Sequence, residues 1–266
     1  MMAISGYRVG LACLAAGSSV LLAVTLAGPA SAATSSHISQ ISHASHASHT
    51  KSPATFPHYN HAWPGNRKVH DDQIWGGYAD TGNQFTSISG SWTVPTLDCS
   101  SVSDSSVSPW IGIDGYGTST VEQIGFDQDC QGGVAGYYPW VEMYPADSVY
   151  FTETVNAGDQ ITASVSVNGS SWTLTESDTT QGWSKTFTET GDDQLGSAEA
   201  IVEDLGNGIG PVAPFGSVTF TDLVANGQPL DQAGTVNSTD IERGSTPLTQ
   251  NSPLSNGSFT ISWLGS

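Results

Sequence analysis

The stretch STVEQIGFD, Ser119 to Asp127, alternates as a β-strand does: Thr120, Glu122, Ile124 and Phe126 project to one side, and Ser119, Val121, Gln123, Gly125 and Asp127 to the other. Ile124 and Phe126 mark the core side. Gln123 therefore stands on the opposite face beside a glycine, where Thr or Val would be the ordinary strand residue.

The same period of two recurs along the chain, in QFTSISGSWTV (Gln84 to Val94), SPWIGIDG (Ser108 to Gly115), YYPWVEMY (Tyr137 to Tyr144), QITASVSV (Gln160 to Val167), SWTLTE (Ser171 to Glu176), AEAIVED (Ala198 to Asp204), GSVTFTDL (Gly216 to Leu223) and SFTISWL (Ser258 to Leu264). Gly, Asn, Asp and Pro separate these runs, and no segment sustains a helical period. Residues 71–266 are expected to form one all-β domain, a sandwich of two sheets, long enough to bury a substantial core.

Upstream the composition changes. Residues 1–32 read as a secretory signal peptide: Arg8, an apolar run from Val9 to Leu26, and the small-residue site Ala30–Ser31–Ala32. Residues 33–70 are rich in Ser, His and Ala and too poor in apolar residues to build a core. They read as a propeptide, the alternative being a disordered tail. Export implies an oxidising compartment, so Cys99 and Cys130, left once Cys13 departs with the signal, are expected to form a disulfide.

Charge narrows the function. All seven histidines precede Trp75, and from Trp75 onward only Lys185 and Arg243 stand against 23 acids, a net of −21. A Ser-His-Asp or Cys-His centre cannot form there, nor a His-ligated zinc site, and nucleic acid would be repelled. No cofactor or metal is implied, and no later run is long and apolar enough to span a bilayer as a helix. Any acid-base chemistry falls to carboxylates. The scarcity of cations also limits the positive charge that accumulates when carboxylates protonate near pH 4, which fits work in acid. The cations upstream suit a propeptide that masks a negative cleft.

Strand facing gathers the polar residues. Trp110, Gly112 and Asp114 oppose Ile111 and Ile113; Tyr138, Trp140, Glu142 and Tyr144 oppose Val141 and Met143; Glu199, Ile201 and Glu203 oppose Ala198, Ala200 and Val202. With Gln123, Gly125 and Asp127 these faces pool aromatics, carboxylates, glycines and one amide. Such a surface suits a groove for a polymer, with a few carboxylates to move protons. Its alternative is the polar solvent face common on antiparallel sheets.

The series WGG (Trp75 to Gly77), GSWTVP (Gly90 to Pro95), WIGIDG (Trp110 to Gly115), EQIGFD (Glu122 to Asp127), WVEMYP (Trp140 to Pro145), GDQITASV (Gly158 to Val165) and AEAIVED resembles the glutamic peptidases, or eqolisins, in order and spacing from Trp75 to about Asp222. The resemblance implies two curved antiparallel sheets, concanavalin-like or jelly-roll in type, with a groove on the concave face. It also implies a secreted, acid-acting endopeptidase made as a preproprotein, with a Gln and Glu dyad falling on Gln123 and Glu199. Trp110, Asp114, Asp127, Glu142 and Tyr144 carry over as supporting positions; Tyr138, Trp140 and Glu203 join them by facing. Three positions depart from the family pattern: Ile124 replaces a Thr, Ala200 replaces a Trp, and Tyr138 stands where an acid can occur.

Glu203 is the rival to Glu199, on the same face but roughly 13 Å further along the strand. The expected partners are polypeptide substrates and the chain's own propeptide as inhibitor, with no nucleic acid or membrane, in a monomer. Two other readings stay open: a glycoside hydrolase with paired carboxylates such as Glu142 and Glu199, and a carbohydrate-binding module without chemistry.

Overall fold

The structure, a computed structural model, describes residues 74–265 except 192 and 207. The signal-peptide and propeptide assignments lie outside the described residues. Two antiparallel sheets dominate. The first runs, in spatial order, β13 (Thr235–Thr239), β1 (Trp75–Thr81), β10 (Ser197–Glu203), β3 (Ser105–Ile113), β4 (Val121–Gln131), β5 (Val134–Tyr144) and β6 (Val149–Tyr150). The second runs β16 (Thr249–Asn251), β17 (Phe259–Trp263), β11 (Ser217–Ala225), β2 (Ser87–Thr93), β7 (Gln160–Asn168), β8 (Ser171–Asp178) and β9 (Trp183–Thr190), with β12 (Gln228–Pro229) beside β11. A hairpin, β14 (Glu242–Arg243) with β15 (Thr246–Pro247), stands apart. Among the described residues there is one 3₁₀ turn, Leu230–Gln232, and no α-helix. The all-β sandwich read from the alternation is the fold observed.

The two sheets meet through the side chains that the alternation assigns inward. Ile111, Ile113, Ile124, Phe126, Val141, Ala198, Ala200 and Val202 from the first sheet share one core with Ile88, Trp92, Ile161, Val165, Trp172, Leu174 and Phe220 from the second. Trp92 stacks on Phe126 across the interface, ring centroids 6.1 Å apart. Burying each of the Val, Leu, Ile and Phe side chains among them contributes about 1.5–3 kcal/mol. The Cys99–Cys130 disulfide forms as expected and ties the chain ahead of β3 to the end of β4.

The outward faces of the two sheets differ. On the second sheet the outward residues are Ser and Thr, such as Ser89, Ser91, Thr162, Ser164, Thr175 and Ser177, partly or fully exposed. On the first sheet β10 is buried at all seven positions, and β3 and β4 nearly throughout. Its outward face therefore carries a second apolar cluster, Ile74, Trp75, Trp110, Val121, Trp140 and Ile201, with Tyr116, Tyr144 and Tyr150 packed on it. It is not a solvated polar face.

Candidate active site

Antiparallel register decides which outward residues stand together, because directly paired residues point to the same side. Glu199 pairs with Gly112, Gly112 with Gln123, and Gln123 with Glu142. One row across β10, β3, β4 and β5 thus reads Glu, Gly, Gln, Glu. Two strand spacings separate the backbones of Glu199 and Gln123, roughly 9–10 Å. Between them stands a residue without a side chain. A Cβ on Gly112 would lie 3.0 Å from Trp110 Cζ3 and 3.1 Å from Gln123 Cβ, so the space above that strand stays small-residue only.

Gln123 is fully buried. Its Nε2 donates to Glu142 Oε2 at 2.7 Å, and Ser148 Oγ donates to Glu142 Oε1 at 3.0 Å, which fixes the amide. An amide nitrogen carries two hydrogens, so one remains after this bond. Among the described residues, the Gln123 Oε1 has no hydrogen-bond partner.

Glu199 is fully buried at the other end of the row. The backbone N–H of Tyr116 reaches its Oε1 at 3.4 Å and Ser197 Oγ at 3.3 Å, and the Ser197 hydroxyl donates to the carboxylate. Burial raises the Glu199 pKa well above the ordinary carboxylate range, the Ser197 bond opposes that, and the charges of Asp114 and Asp80 raise it further.

Apart from Asp114 and Tyr144, the remaining predicted residues fall into two further rows. Ile201, Trp110, Gly125, Trp140 and Tyr150 form one. Gly125 is required there: a Cβ would meet the Pro109 carbonyl oxygen at 2.3 Å and Trp110 Cβ at 2.7 Å. In the next row Glu203 pairs with Ser108, and Asp127 with Tyr138. Glu203 accepts from the Trp110 indole N–H at 2.9 Å, so this carboxylate, two rows from Gln123, is engaged with the tryptophan of the row between. The Trp140 indole N–H donates to Ser108 Oγ at 3.1 Å, and the Tyr150 hydroxyl to Asp127 Oδ2 at 2.6 Å. Tyr138 stands half-buried opposite Asp127; burial, then the charges of Asp129 and Asp127, raise its phenol. Tyr144 packs on the tryptophan cluster at the end of β5.

Asp114 does not stand in these rows. It sits beyond β3 at φ 67° and accepts three backbone N–H bonds, from Gln194 at 3.0 Å, Leu195 at 2.8 Å and Gly196 at 2.6 Å. Its own N–H donates to the Ser197 carbonyl at 3.0 Å. It therefore anchors the segment that delivers Ser197 and Glu199. Among the described residues no group of three or more His, Cys, Asp or Glu is arranged to hold a metal ion.

Several residues here were not singled out from the sequence. Ser197 was legible, since it lies two positions before Glu199 on one strand and so shares its face. Tyr116 acts through its backbone from a loop, and Ser148 and Tyr150 come from a loop and a two-residue strand, where no periodicity points to them.

Comparisons with known proteins bear on the family and the fold. The model of the Peptidase A4 family matches residues 73–263. Aspergillopepsin-2 of Aspergillus niger is 31% identical over 218 residues, covering 71% of this chain and 77% of its own. Among solved structures, scytalido-glutamic peptidase in complex with a peptide-based transition state analog superposes with a TM-score of 0.60 at 28% identity, over 73% of this chain and 99% of that one. Aspergilloglutamic peptidase from Aspergillus niger gives 0.51 at 34% identity, over 60% and 99%. The glycosidase and carbohydrate-binding readings fall away: the chain belongs to the Peptidase A4 family, the glutamic peptidases or eqolisins, and is a peptide hydrolase.

Proposed function

We propose that Glu199 and Gln123 are the catalytic pair of a secreted endopeptidase that works in acid. The observation that carries the reading is the shared row, in which only a glycine, and no side chain, stands between a carboxylate and a fixed amide. A peptide carbonyl seated over Gly112 has the second Nε2 hydrogen of Gln123 on one side and Glu199 on the other. Ionised Glu199 takes a proton from the attacking water, Gln123 donates to the developing oxyanion, and Glu199 then protonates the departing amine. Glu142 and Ser148 hold the amide in its donating orientation.

A glutamine donates at any pH, so within this pair only Glu199 titrates. Its base duty requires the ionised form, and rates are expected to rise with pH as that form populates. Protonation of Asp114 and Asp80 in acid removes two of the charges that raise the Glu199 pKa and so offsets part of that rise, burial remaining the larger cause. The upper limit is set by the fold, through buried carboxyls that tolerate no charge. Export follows from the leader at residues 1–32, and inhibition before processing from the cationic segment at 33–70 set against an acidic domain. Polypeptides are the substrates, as the peptide-based analog bound by the scytalido-glutamic enzyme supports, and the enzyme acts as a monomer. The test is peptide cleavage by folded Glu199→Gln and Gln123→Ala proteins, both of which are expected to lose turnover while retaining peptide binding; wild-type turnover in either contradicts the pair.

A further inference from the structure

Strand β4 carries a carboxyl on its core face that the alternation does not explain. Glu122 lies on the face of Ile124 and Phe126, 1% exposed, paired with Ile113 of β3 and Met143 of β5. A carboxyl on a core face needs a partner, and this one is hydrogen-bonded to the carboxyl of Asp193. Two carboxyls attract in this way only when one of them holds a proton. Asp193 opens the segment Asp193–Gly196, whose next three N–H groups are gripped by Asp114. That segment runs straight into Ser197 and Glu199.

We propose that Glu122 is a positioning residue: protonated, it clasps Asp193 and thereby fixes the segment that sets Ser197 and the Glu199 carboxyl. The proposal rests on the reading of Glu199 as the catalytic carboxylate. The charged groups that face Glu122 are all acids: Asp193 from the segment, Asp114 from the end of β3 and Glu199 from β10. Both cations among the described residues are engaged elsewhere, Lys185 with Glu153 at 2.6 Å and Arg243 with Asp204 at 2.7 Å. Burial, followed by the charge of Asp193, pushes Glu122 up to about 10. Its folded pKa is raised, so the clasp is at full strength below the ordinary carboxylate range and weakens as pH climbs toward that value. In this window an opening that ionises Glu122 becomes up to tenfold more favourable per pH unit.

The experiment is hydrogen exchange at the Leu195 and Gly196 amides, corrected for intrinsic rates, in wild type and Glu122→Gln between pH 5 and 8. Glutamine donates the same bond at every pH, and the titration of Asp114 and Glu199 is common to both proteins. Wild-type protection is expected to fall more steeply, by up to tenfold per pH unit, and the ratio of kcat at pH 8 to kcat at pH 5 to be correspondingly higher in the variant, with KM unchanged. Equal slopes overturn the clasp. Unequal slopes with equal kcat ratios overturn its hold on Glu199. Full activity of Glu199→Gln overturns the catalytic reading instead and leaves the exchange result standing.

Discussion

In the proposed site, Gly112 separates Gln123 from Glu199 and bears on whether the two can work on one bond. A methyl at this position must displace Trp110 Cζ3 or Gln123 Cβ by a few tenths of an ångström and enters the space between the pair. Gly112→Ala is therefore expected to lower kcat by at least tenfold with a modest change in melting temperature, checked by steady-state kinetics beside thermal unfolding. Gln123→Ala removes the proposed oxyanion donor, a group worth about 3–4 kcal/mol in that role, so kcat should fall by two to three orders of magnitude. Glu203→Gln serves as the contrast. It alters a carboxylate whose defined partner is the Trp110 indole, so it is expected to change KM more than kcat.

At the scale of elements, β10 and β4 were legible because a period of two survives even where both faces are buried. Ala198, Ala200 and Val202 against Glu199, Ile201 and Glu203 is an alternation of size and polarity, and register does the rest. The loops were not legible. Asp114 has the residue type and glycine neighbour of an ordinary turn, and only the fold brings it to the three N–H groups of residues 194–196. Hydrogen bonds to a charged acceptor contribute about 1.5–3 kcal/mol each. Asp114→Ala is expected to cost several kcal/mol by denaturant unfolding and to reduce kcat; an unchanged midpoint and rate would detach this loop from the site. Likewise the Cys99–Cys130 pairing was legible from the compartment, and it closes a separation of 31 residues. Reduction is expected to cost about 3–4 kcal/mol of stability.

For the whole molecule, the acidic composition indicated acid tolerance, but its cause was hidden until burial was known. Asp80 is raised to about 6 and Glu122 to about 10, and Asp114, Glu176 and Glu199 are raised as well, in each case chiefly by burial. Glu176 faces the sandwich core from β8 with neither carboxyl oxygen hydrogen-bonded among the described residues, and its register partner Lys185 is committed to Glu153. Acids with raised folded pKa values bind more protons folded than unfolded. Their stabilising contribution is full below about pH 4, their unfolded value, and is lost as pH rises through about 6 for Asp80 and about 10 for Glu122. Asp159 and Asp231 shift the other way and oppose this weakly, each being held down by hydrogen bonds. The melting temperature is therefore expected to be higher at pH 4 than at pH 8, and Glu176→Gln to narrow that difference; a melting temperature that rises toward neutral pH contradicts the assignment. A loss of activity toward neutral pH is expected from the same buried carboxyls, with the chemistry itself proposed for Gln123 and Glu199. The measurement that tests this most directly is kcat for peptide cleavage by Glu199→Gln, beside Glu203→Gln and wild type, across the acid range. Loss of at least a thousandfold in Glu199→Gln at every pH, with Glu203→Gln within tenfold of wild type, is predicted; near-wild-type turnover in Glu199→Gln would contradict it.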